Sequence, residues 1–151
     1  MREFSKVAPQ LWRSKRFAAL GDDARMFVLY LLTCPHQSSA GCMSLPDAYA
    51  AADLNWNIER LRAARNAVIE ADMLVHDEVS NEYFVRRWFR HNPPTNSKHR
   101  AGIDKLIAAL DSVAVRDAVQ CELGAAFAKP EQDQAIGGKH LLETALMRGR
   151  R

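Results

Sequence analysis

The feature that most constrains the fold is a change in the spacing of apolar residues along the chain. Residues 22–33 and 58–72 carry apolar side chains at helical spacing, the first almost continuously as DDARMFVLYLLT, the second on one face of IERLRAARNAVIEAD. Residues 74–79 and 82–89, LVHDEV and EYFVRRWF, are instead rich in β-prone side chains. The Ser80-Asn81 pair between them is typical of a hairpin turn. The sequence therefore predicts an α+β fold, mostly helical, that contains a β-hairpin.

Short segments complete the order of elements. CMSL, residues 42–45, is predicted as an edge strand, and PDAYAAADL, residues 46–54, as a short alanine-rich helix. The following NWN is a tight turn in which Asn57 can cap the next helix. Buried helix, strand, short helix, turn, second helix and hairpin follow one another in the order of a winged helix-turn-helix.

Two further helices follow a break at Pro93-Pro94, and Asn96 or Ser97 can begin the first. Their apolar stripes are, in turn, Ile103, Leu106, Ile107 and Leu110, and then, over about 112–128, Val115, Val119, Leu123 and Phe127. Such stripes must be buried on the domain's own core or on a partner, so they indicate packing or dimerisation.

The domain organisation follows from these breaks. We expect the winged helix-turn-helix domain over 1–95, a C-terminal helical extension over 96–129, and a linker with a weakly helical basic tail over 130–151. Nearer the N-terminus, Ser14 can cap a short helix that stops at Gly21, and Asp22 can cap the helix that follows.

The second helix of a helix-turn-helix enters the major groove, and its N-terminal residues meet base edges. The base-facing residues predicted here are Asn55, Asn57, Arg60, Arg62, Ala63 and Asn66. Arginine pairs with guanine and asparagine with adenine, so the side chains suit this role. Two alternatives stay open, because an arginine-rich helix face is often only solvated, and winged helices also bind proteins. The acidic hairpin tip (Asp77, Glu78, Glu82) indicates a wing that stays clear of the duplex.

Basic residues cluster in the stretch RRWFRHNPPTNSKHR, residues 86–100, in a chain whose net charge is only +3. The stretch contains no acid, and we interpret it as a patch that faces DNA phosphates, formed by Arg86, Arg87, Arg90, Lys98 and Arg100. Strand geometry would point two consecutive arginines to opposite faces, and Trp88 and Phe89 likewise, with one of them on the core.

Catalytic and cofactor sites are not indicated. Gly137-Gly138-Lys139 lacks the first glycine and the Ser/Thr of a phosphate-binding loop, and no nucleophile triad or carboxylate pair stands out, so we expect a non-enzyme without a cofactor. Cys34, His36 and Cys42 are a weak metal motif, better explained as a helix end and a loop. Trp56 either fills the core, which we favour, or lies exposed at the DNA face.

Length, composition and cysteine count limit the class of protein. The chain of 151 residues is 48% hydrophobic, which is enough for a core, yet it has no apolar window long enough to span a membrane. Three cysteines without dense spacing, together with no secretory signal pattern at the N-terminus, favour a reducing cytoplasm.

Three segments resemble a group of phage and prophage proteins. They are LWRSKRFAALGDDARMFVLYLLTCPH, LPDAYAAADLNWNIERL and RRWFRHNPPTN, with Trp12, Phe17 and Leu20 in the first and Phe89, Asn92, Pro93 and Pro94 in the last. The resemblance covers about residues 3–100 and implies the winged-helix domain of phage replication-initiator (replisome-organiser) proteins. It implies origin binding and recruitment of a helicase or its loader, although only a short C-terminal region remains here for such recruitment.

The sequence therefore supports two main functional hypotheses. The first is binding of double-stranded DNA in replication initiation or transcriptional control of a phage, prophage or mobile element, with the further hypothesis of a homodimer that reads half-sites about one turn apart. The second is a phage-encoded adaptor or inhibitor that binds a host replication or regulatory protein. Single-strand binding, with Trp88 or Tyr83 as a stacking platform, is a third option.

Overall fold

A computed structural model of the chain describes residues 4–127. A short 3-10 turn, Pro9–Arg13, precedes the first helix. The helices are α1 Lys15–Ala18, α2 Asp22–Thr33, α3 Asp47–Leu54, α4 Ile58–Glu70, α5 Trp88–His91, α6 Ser97–Ala108 and α7 Val113–Phe127. The strands are β1 Cys42–Ser44, β2 Leu74–Asp77 and β3 Glu82–Val85. The fold is α+β, dominated by helices around a small antiparallel sheet, as the sequence predicted.

The predicted helix starts are largely confirmed. Ser14 accepts a hydrogen bond from the Phe17 backbone N–H, and Asn96 caps α6 through the His99 N–H. The prediction for Asp22 was wrong, since Gly21 occupies the cap position of α2 and Asp22 is the first helical residue. Its carboxylate still lies in the first turn, where it stabilises the positive end of the helix dipole.

The sheet has the strand order β1-β3-β2, with both pairs antiparallel. β1 is therefore an edge strand, as its sequence predicted. Side chains along β3 alternate between two layers, because Tyr83 joins the core formed with α2 and α4 whereas Phe84 joins the core formed with α6 and α7. Both faces of the sheet are thus covered.

The second hairpin strand is shorter than predicted, because it ends at Val85 rather than at residue 89. Arg87 takes a left-handed backbone conformation (φ 63°), which turns the chain out of the sheet and into α5. Trp88 and Phe89 are consequently both buried, so the predicted alternation between them was wrong. The Trp88 indole N–H donates to the Ser39 carbonyl at 2.9 Å.

Gly41 lies directly beneath that indole. Its backbone has φ +72°, and a Cβ built there would lie 2.3 Å from Cγ of Trp88. Glycine is required on both counts, since a side chain would be strained at this φ and would displace the ring. Contact between Gly41 and Trp88 joins the β1 loop to α5.

The stripes of the two C-terminal helices are buried on the chain's own core. Ile103, Ile107 and Leu110 of this stretch are buried, and so are Val115, Val119 and Leu123. α7 packs against β2, β3, α5 and α6. Leu106 and Phe127, at the margins of the stripes, stay partly exposed. Intramolecular packing therefore accounts for most of the apolar surface that the sequence left without an assigned partner.

In the part of the chain that the structure describes, no helix is both long and apolar enough to cross a membrane. The predicted linker and basic tail over 130–151 lie outside the described residues.

Candidate nucleic-acid interface

The turn between α3 and α4 is short and closed by its own backbone. Asn55 ends α3 in a left-handed conformation (φ 54°), which asparagine tolerates better than most residues. The Trp56 N–H donates to the Ala51 carbonyl at 2.9 Å. Asn57 caps α4 as predicted, because its Oδ1 accepts from the Arg60 backbone N–H at 2.8 Å. Asn55 and Asn57 are both solvent-exposed, but the Asn57 carbonyl oxygen is already engaged.

The outer face of α4 is open to solvent along the helix. Arg62, Ala63 and Asn66 are exposed, whereas Leu61 and Val68 are buried against the core. Arg62 and Asn66 are four residues apart and so lie next to each other on one face. The sequence placed this face correctly.

Two predicted base-reading arginines are already engaged by acids. Arg60 forms a bidentate pair with Asp23 of α2, with Nε–Oδ2 at 2.8 Å and Nη2–Oδ1 at 2.5 Å. This hydrogen bond lowers the pKa of Asp23. Arg62 Nε donates to Asp47 Oδ2 at 3.0 Å. Each of these exposed arginines must exchange or share its carboxylate before it can bind a base.

Trp56 combines both interpretations of its role. The side chain is half-buried and packs against the core, as we favoured. The outer side of its ring carries the guanidinium of Arg60, 4.5 Å from the ring centroid. Stacking and the pair with Asp23 together fix Arg60 over the start of α4.

A buried polar network beneath α4 was missed by the sequence interpretation. Arg65 is only 4% exposed, and its Nη1 donates to Asp47 Oδ1 at 2.5 Å and to the Tyr83 hydroxyl at 2.9 Å. Burial alone would raise the pKa of Asp47, but hydrogen bonds from Arg62 and Arg65 outweigh it and lower the pKa. The available signal was spacing, because Arg65 falls between Leu61 and Val68 on the apolar face of the helix.

His76 completes the network from the sheet side. Its ring lies 4.2 Å from the Tyr83 ring, measured between centroids, and its buried Nε2 has no hydrogen-bond partner among residues 4–127. Burial, reinforced by the nearby Arg65 charge, lowers the pKa of His76 to about 4. This histidine is therefore neutral in the folded protein at physiological pH.

The acidic hairpin tip serves the N-terminus of α7. Glu82 is 5% exposed, and its two carboxylate oxygens accept from the backbone N–H groups of Asp111 (2.9 Å) and Ser112 (2.7 Å). The Ser112 hydroxyl and the backbone N–H groups of Val79 and Ser80 donate to Asp77 and lower its pKa. Much of the acidity that we interpreted as DNA avoidance is thus explained by helix capping.

The basic stretch does not form one continuous patch. Arg86 and Arg87 both bind the carboxylate of Asp72, at 2.9 Å and 2.8 Å, so the prediction that they face opposite sides was wrong. The cause is the left-handed turn at Arg87, which brings both side chains back toward the end of α4. Arg16 reaches the same carboxylate at 3.6 Å.

Three other cations of the predicted patch behave differently. Arg100 donates to Asp104 at 3.1 Å, and its guanidinium lies 4.7 Å from the ring centroid of Phe127. Arg90 and Lys98 are exposed and have no ion pair within residues 4–127. Of the predicted phosphate contacts, these two are available without breaking an existing pair.

Arg60, predicted to face bases, and the pair Arg86 and Arg87, predicted to face phosphates, lie toward opposite ends of α4. Arg60 is near its first turn, whereas Asp72, which gathers Arg86 and Arg87, lies just beyond its last residue. At 1.5 Å per residue the separation along the helix is about 18 Å. One surface therefore does not combine all the predicted contacts.

The cysteine and histidine positions form no cluster. The Cys34 thiol lies 3.6 Å from the Met43 sulfur, and Cys42 lies near Ser38, with burial raising the pKa of Cys42. His36 stacks on Tyr49 at the surface. Among residues 4–127, no group of three His, Cys, Asp or Glu side chains is arranged to hold a metal ion.

Comparisons with protein-family models, with curated proteins and with solved structures found no match for this chain. The resemblance to phage replication initiators stays a prediction.

Proposed function

We propose that the protein binds double-stranded DNA as a winged helix-turn-helix, with the outer face of α4 in the major groove. The observation that carries this proposal is the open face of α4, where Arg62, Ala63 and Asn66 are exposed. The sheet and helices α6 and α7 pack elsewhere and do not cover it. The proposed function needs no catalytic group and no cofactor.

The topology supports the proposal. Helix α2, strand β1, helices α3 and α4, and the β2–β3 hairpin follow in the order typical of a winged helix, and β1 adds to the hairpin as a third strand. The tight turn between α3 and α4, closed by the Trp56 N–H, gives α4 a fixed direction relative to α3. A rigid second helix is what base reading requires.

The side chains on this face of α4 suit base recognition, but its arginines are already paired with carboxylates. Asn66 can pair with adenine, and Arg62 with guanine once it shares or leaves Asp47. Arg60 is held by Asp23 in the same way. We therefore expect modest affinity, with Arg90 and Lys98 supplying phosphate contacts and a correspondingly shallow dependence on salt.

The Asp23–Arg60 pair offers a sharp test with a matched control. Asp23→Asn removes one negative charge and releases Arg60, whereas Asp22→Asn removes the same charge from the adjacent exposed position and leaves the pair intact. If α4 reads DNA, Asp23→Asn should tighten duplex binding in fluorescence anisotropy several-fold more than Asp22→Asn. Asn66→Ala should weaken binding and relax base preference.

The result that contradicts the proposal is equally direct. Absence of duplex binding at low salt, or equal affinities for Asp22→Asn and Asp23→Asn with no effect of Asn66→Ala, would show that this face of α4 does not contact DNA. Fragments from the gene's own neighbourhood are the appropriate duplexes, because an origin or operator lies close to its regulator in the phage or mobile-element setting that we propose.

The biological role that we propose is replication initiation or transcriptional control in a phage, prophage or mobile element, and it rests on the resemblance described in the sequence analysis. Binding as a homodimer would double the contacts on a pseudo-palindromic site. Light scattering at micromolar concentration tests this, and a monomer with and without DNA would count against dimerisation.

The second candidate is an adaptor or inhibitor that binds a host protein. The specific observation in its favour is that Arg60 and Arg62 are already paired with carboxylates in the folded chain. A helix face neutralised in this way suits a protein surface as well as a duplex. Stoichiometric capture of one host protein, together with no DNA binding, would select this candidate.

A further inference from the structure

A cleft lies between the N-terminal segment and the end of the sheet, away from the start of α4. Its volume is about 770 Å³, within the range of pockets that enclose a ligand or several side chains of a partner. Half-buried apolar side chains from four different elements or loops line it, among them Leu11, Leu32, Met73 and Val85. This lining can receive apolar groups that would otherwise face water.

Around this apolar lining the charged residues are all cationic. Lys6, Arg13 and Lys15 contribute from the N-terminal side, and Arg90 from α5, and all four are exposed. Within residues 4–127, no Asp or Glu is among those that line the cleft. A ligand that enters it therefore meets positive charge around an apolar centre.

Two neighbouring acids within residues 4–127, Asp72 and Glu122 near Arg86, reduce but do not cancel this charge. Arg16, Arg86 and Arg87 also line the cleft, and all three share the single carboxylate of Asp72. Three guanidinium groups on one carboxylate leave an excess of two positive charges. Carboxylates supplied by a ligand, two for full balance, would pair with this excess.

The apolar lining and the cationic rim together indicate the class of ligand that the cleft can bind. Nucleic-acid backbones are bound by cations and polar donors and need no apolar lining, and single strands are additionally bound by stacking on exposed aromatic rings. Trp88 is the tryptophan among the described cleft residues; it is 4% exposed, and its indole N–H donates to the Ser39 carbonyl. An acidic peptide with apolar anchors uses both the apolar lining and the cationic rim.

We propose that this cleft docks an acidic segment of a partner protein, with apolar side chains over Leu32, Met73 and Val85 and carboxylates toward Arg13 and Arg90. The apolar lining is distinct from the exposed face of α4, but Arg90 belongs both to the cleft rim and to the phosphate contacts proposed above, so a docked peptide competes with DNA for that cation. The inference does not depend on DNA binding by α4.

The test uses the full chain and fluorescein-labelled peptides. The probe carries glutamates with two leucines at i and i+4, and two control probes replace the leucines with serine or the glutamates with lysine. The double variant Arg13→Glu/Arg90→Glu alters the rim at two exposed positions that have no ion pair within residues 4–127. Lys98→Glu/Lys105→Glu makes the same charge change on exposed residues of α6, outside the cleft.

The expected result is saturable binding of the leucine–glutamate probe that weakens about tenfold or more in the rim variant and not in the α6 variant. Both control probes should bind at least tenfold more weakly, and added salt should weaken the main probe. Unchanged circular dichroism spectra confirm that the variants fold.

Three outcomes would overturn the proposal. A Kd above about 1 mM for the main probe shows that the cleft does not dock such a peptide. Equal binding of the serine probe shows non-specific charge attraction. Displacement of the main probe by single-stranded DNA, weakened by the same rim variant, assigns the cleft to nucleic acid instead.

Discussion

Replacement of Glu82 by alanine should destabilise the protein more than replacement of the exposed hairpin acid Glu78. In the wild type its carboxylate accepts from the N–H groups of Asp111 and Ser112, at 2.9 Å and 2.7 Å, and from the Ser80 hydroxyl at 3.2 Å. Two of these donors, the N–H groups of Asp111 and Ser112, lie at the start of α7. The N–H groups at the start of a helix have no backbone acceptor within that helix. Alanine leaves them without an acceptor.

The magnitude follows from the burial of each donor. The Ser112 N–H is buried, so removal of its charged acceptor leaves a buried donor unsatisfied. This costs about 2 kcal/mol of unfolding free energy. The Asp111 N–H is only partly buried and can bind water, so it adds about 1 kcal/mol. A total near 3 kcal/mol corresponds to a melting temperature about 9 °C lower for a chain of this size.

Urea unfolding and thermal melts measure this loss, and hydrogen exchange locates it. The Ser112 amide should lose protection before the amides of α2 do, because the start of α7 opens locally. Glu78→Ala is the matched control, since Glu78 is an exposed acid on the same hairpin. If Glu82→Ala lowers stability no more than Glu78→Ala, the capping explanation of the acidic hairpin is wrong.

Three further predictions concern other sites in the fold. Gly41→Ala should lower the free energy of unfolding by about 3 kcal/mol or more, because the positive φ of Gly41 and the indole above it exclude a Cβ. Gly102→Ala, on the open face of α6, is the control and should not destabilise the protein. Equal urea midpoints for the two variants would refute this. Asp47→Ala should cost about 3 kcal/mol, since it leaves the buried Arg65 guanidinium without its carboxylate, and a loss no larger than that of an exposed ion pair would refute this. Glu122 has its pKa raised by burial from 4.5 to about 7, so its contribution to stability is present below pH 4.5 and is lost as pH rises through 7. Glu122→Gln should therefore raise the melting temperature at pH 8 and leave it unchanged at pH 4, and an equal change at both pH values would contradict the assignment.

Much of the candidate site was predictable because it depends on local rules. The cap at Asn57, the tight turn before it and the outward face of Arg62 and Asn66 follow from residue preferences and helical spacing. The partners of the arginines did not follow, because Asp23 lies 37 residues from Arg60 and Asp47 lies 15 from Arg62. Which acid neutralises which base depends on how α2 and α3 pack on α4.

The basic stretch shows the same division. Its composition was evident, but the left-handed turn at Arg87 redirected Arg86 and Arg87 to Asp72 and placed Trp88 and Phe89 together in the core. A strand prediction assigned them alternately to two faces. β propensity describes a short run of residues, whereas the end of a strand depends on what the chain must pack against next.

The sequence by itself determined the order and type of the elements, because hydrophobic spacing, caps and prolines act within a few residues along the chain. The bounds of α2, the hairpin at Ser80-Asn81 and the stripes of α6 and α7 came from that information. Only the tertiary structure decided that Glu82 caps α7, that Arg65 is buried with Asp47, and that a cationic cleft forms beside the N-terminal segment. Each of these joins residues distant in sequence, and charge pairing between them depends on distances that packing alone sets.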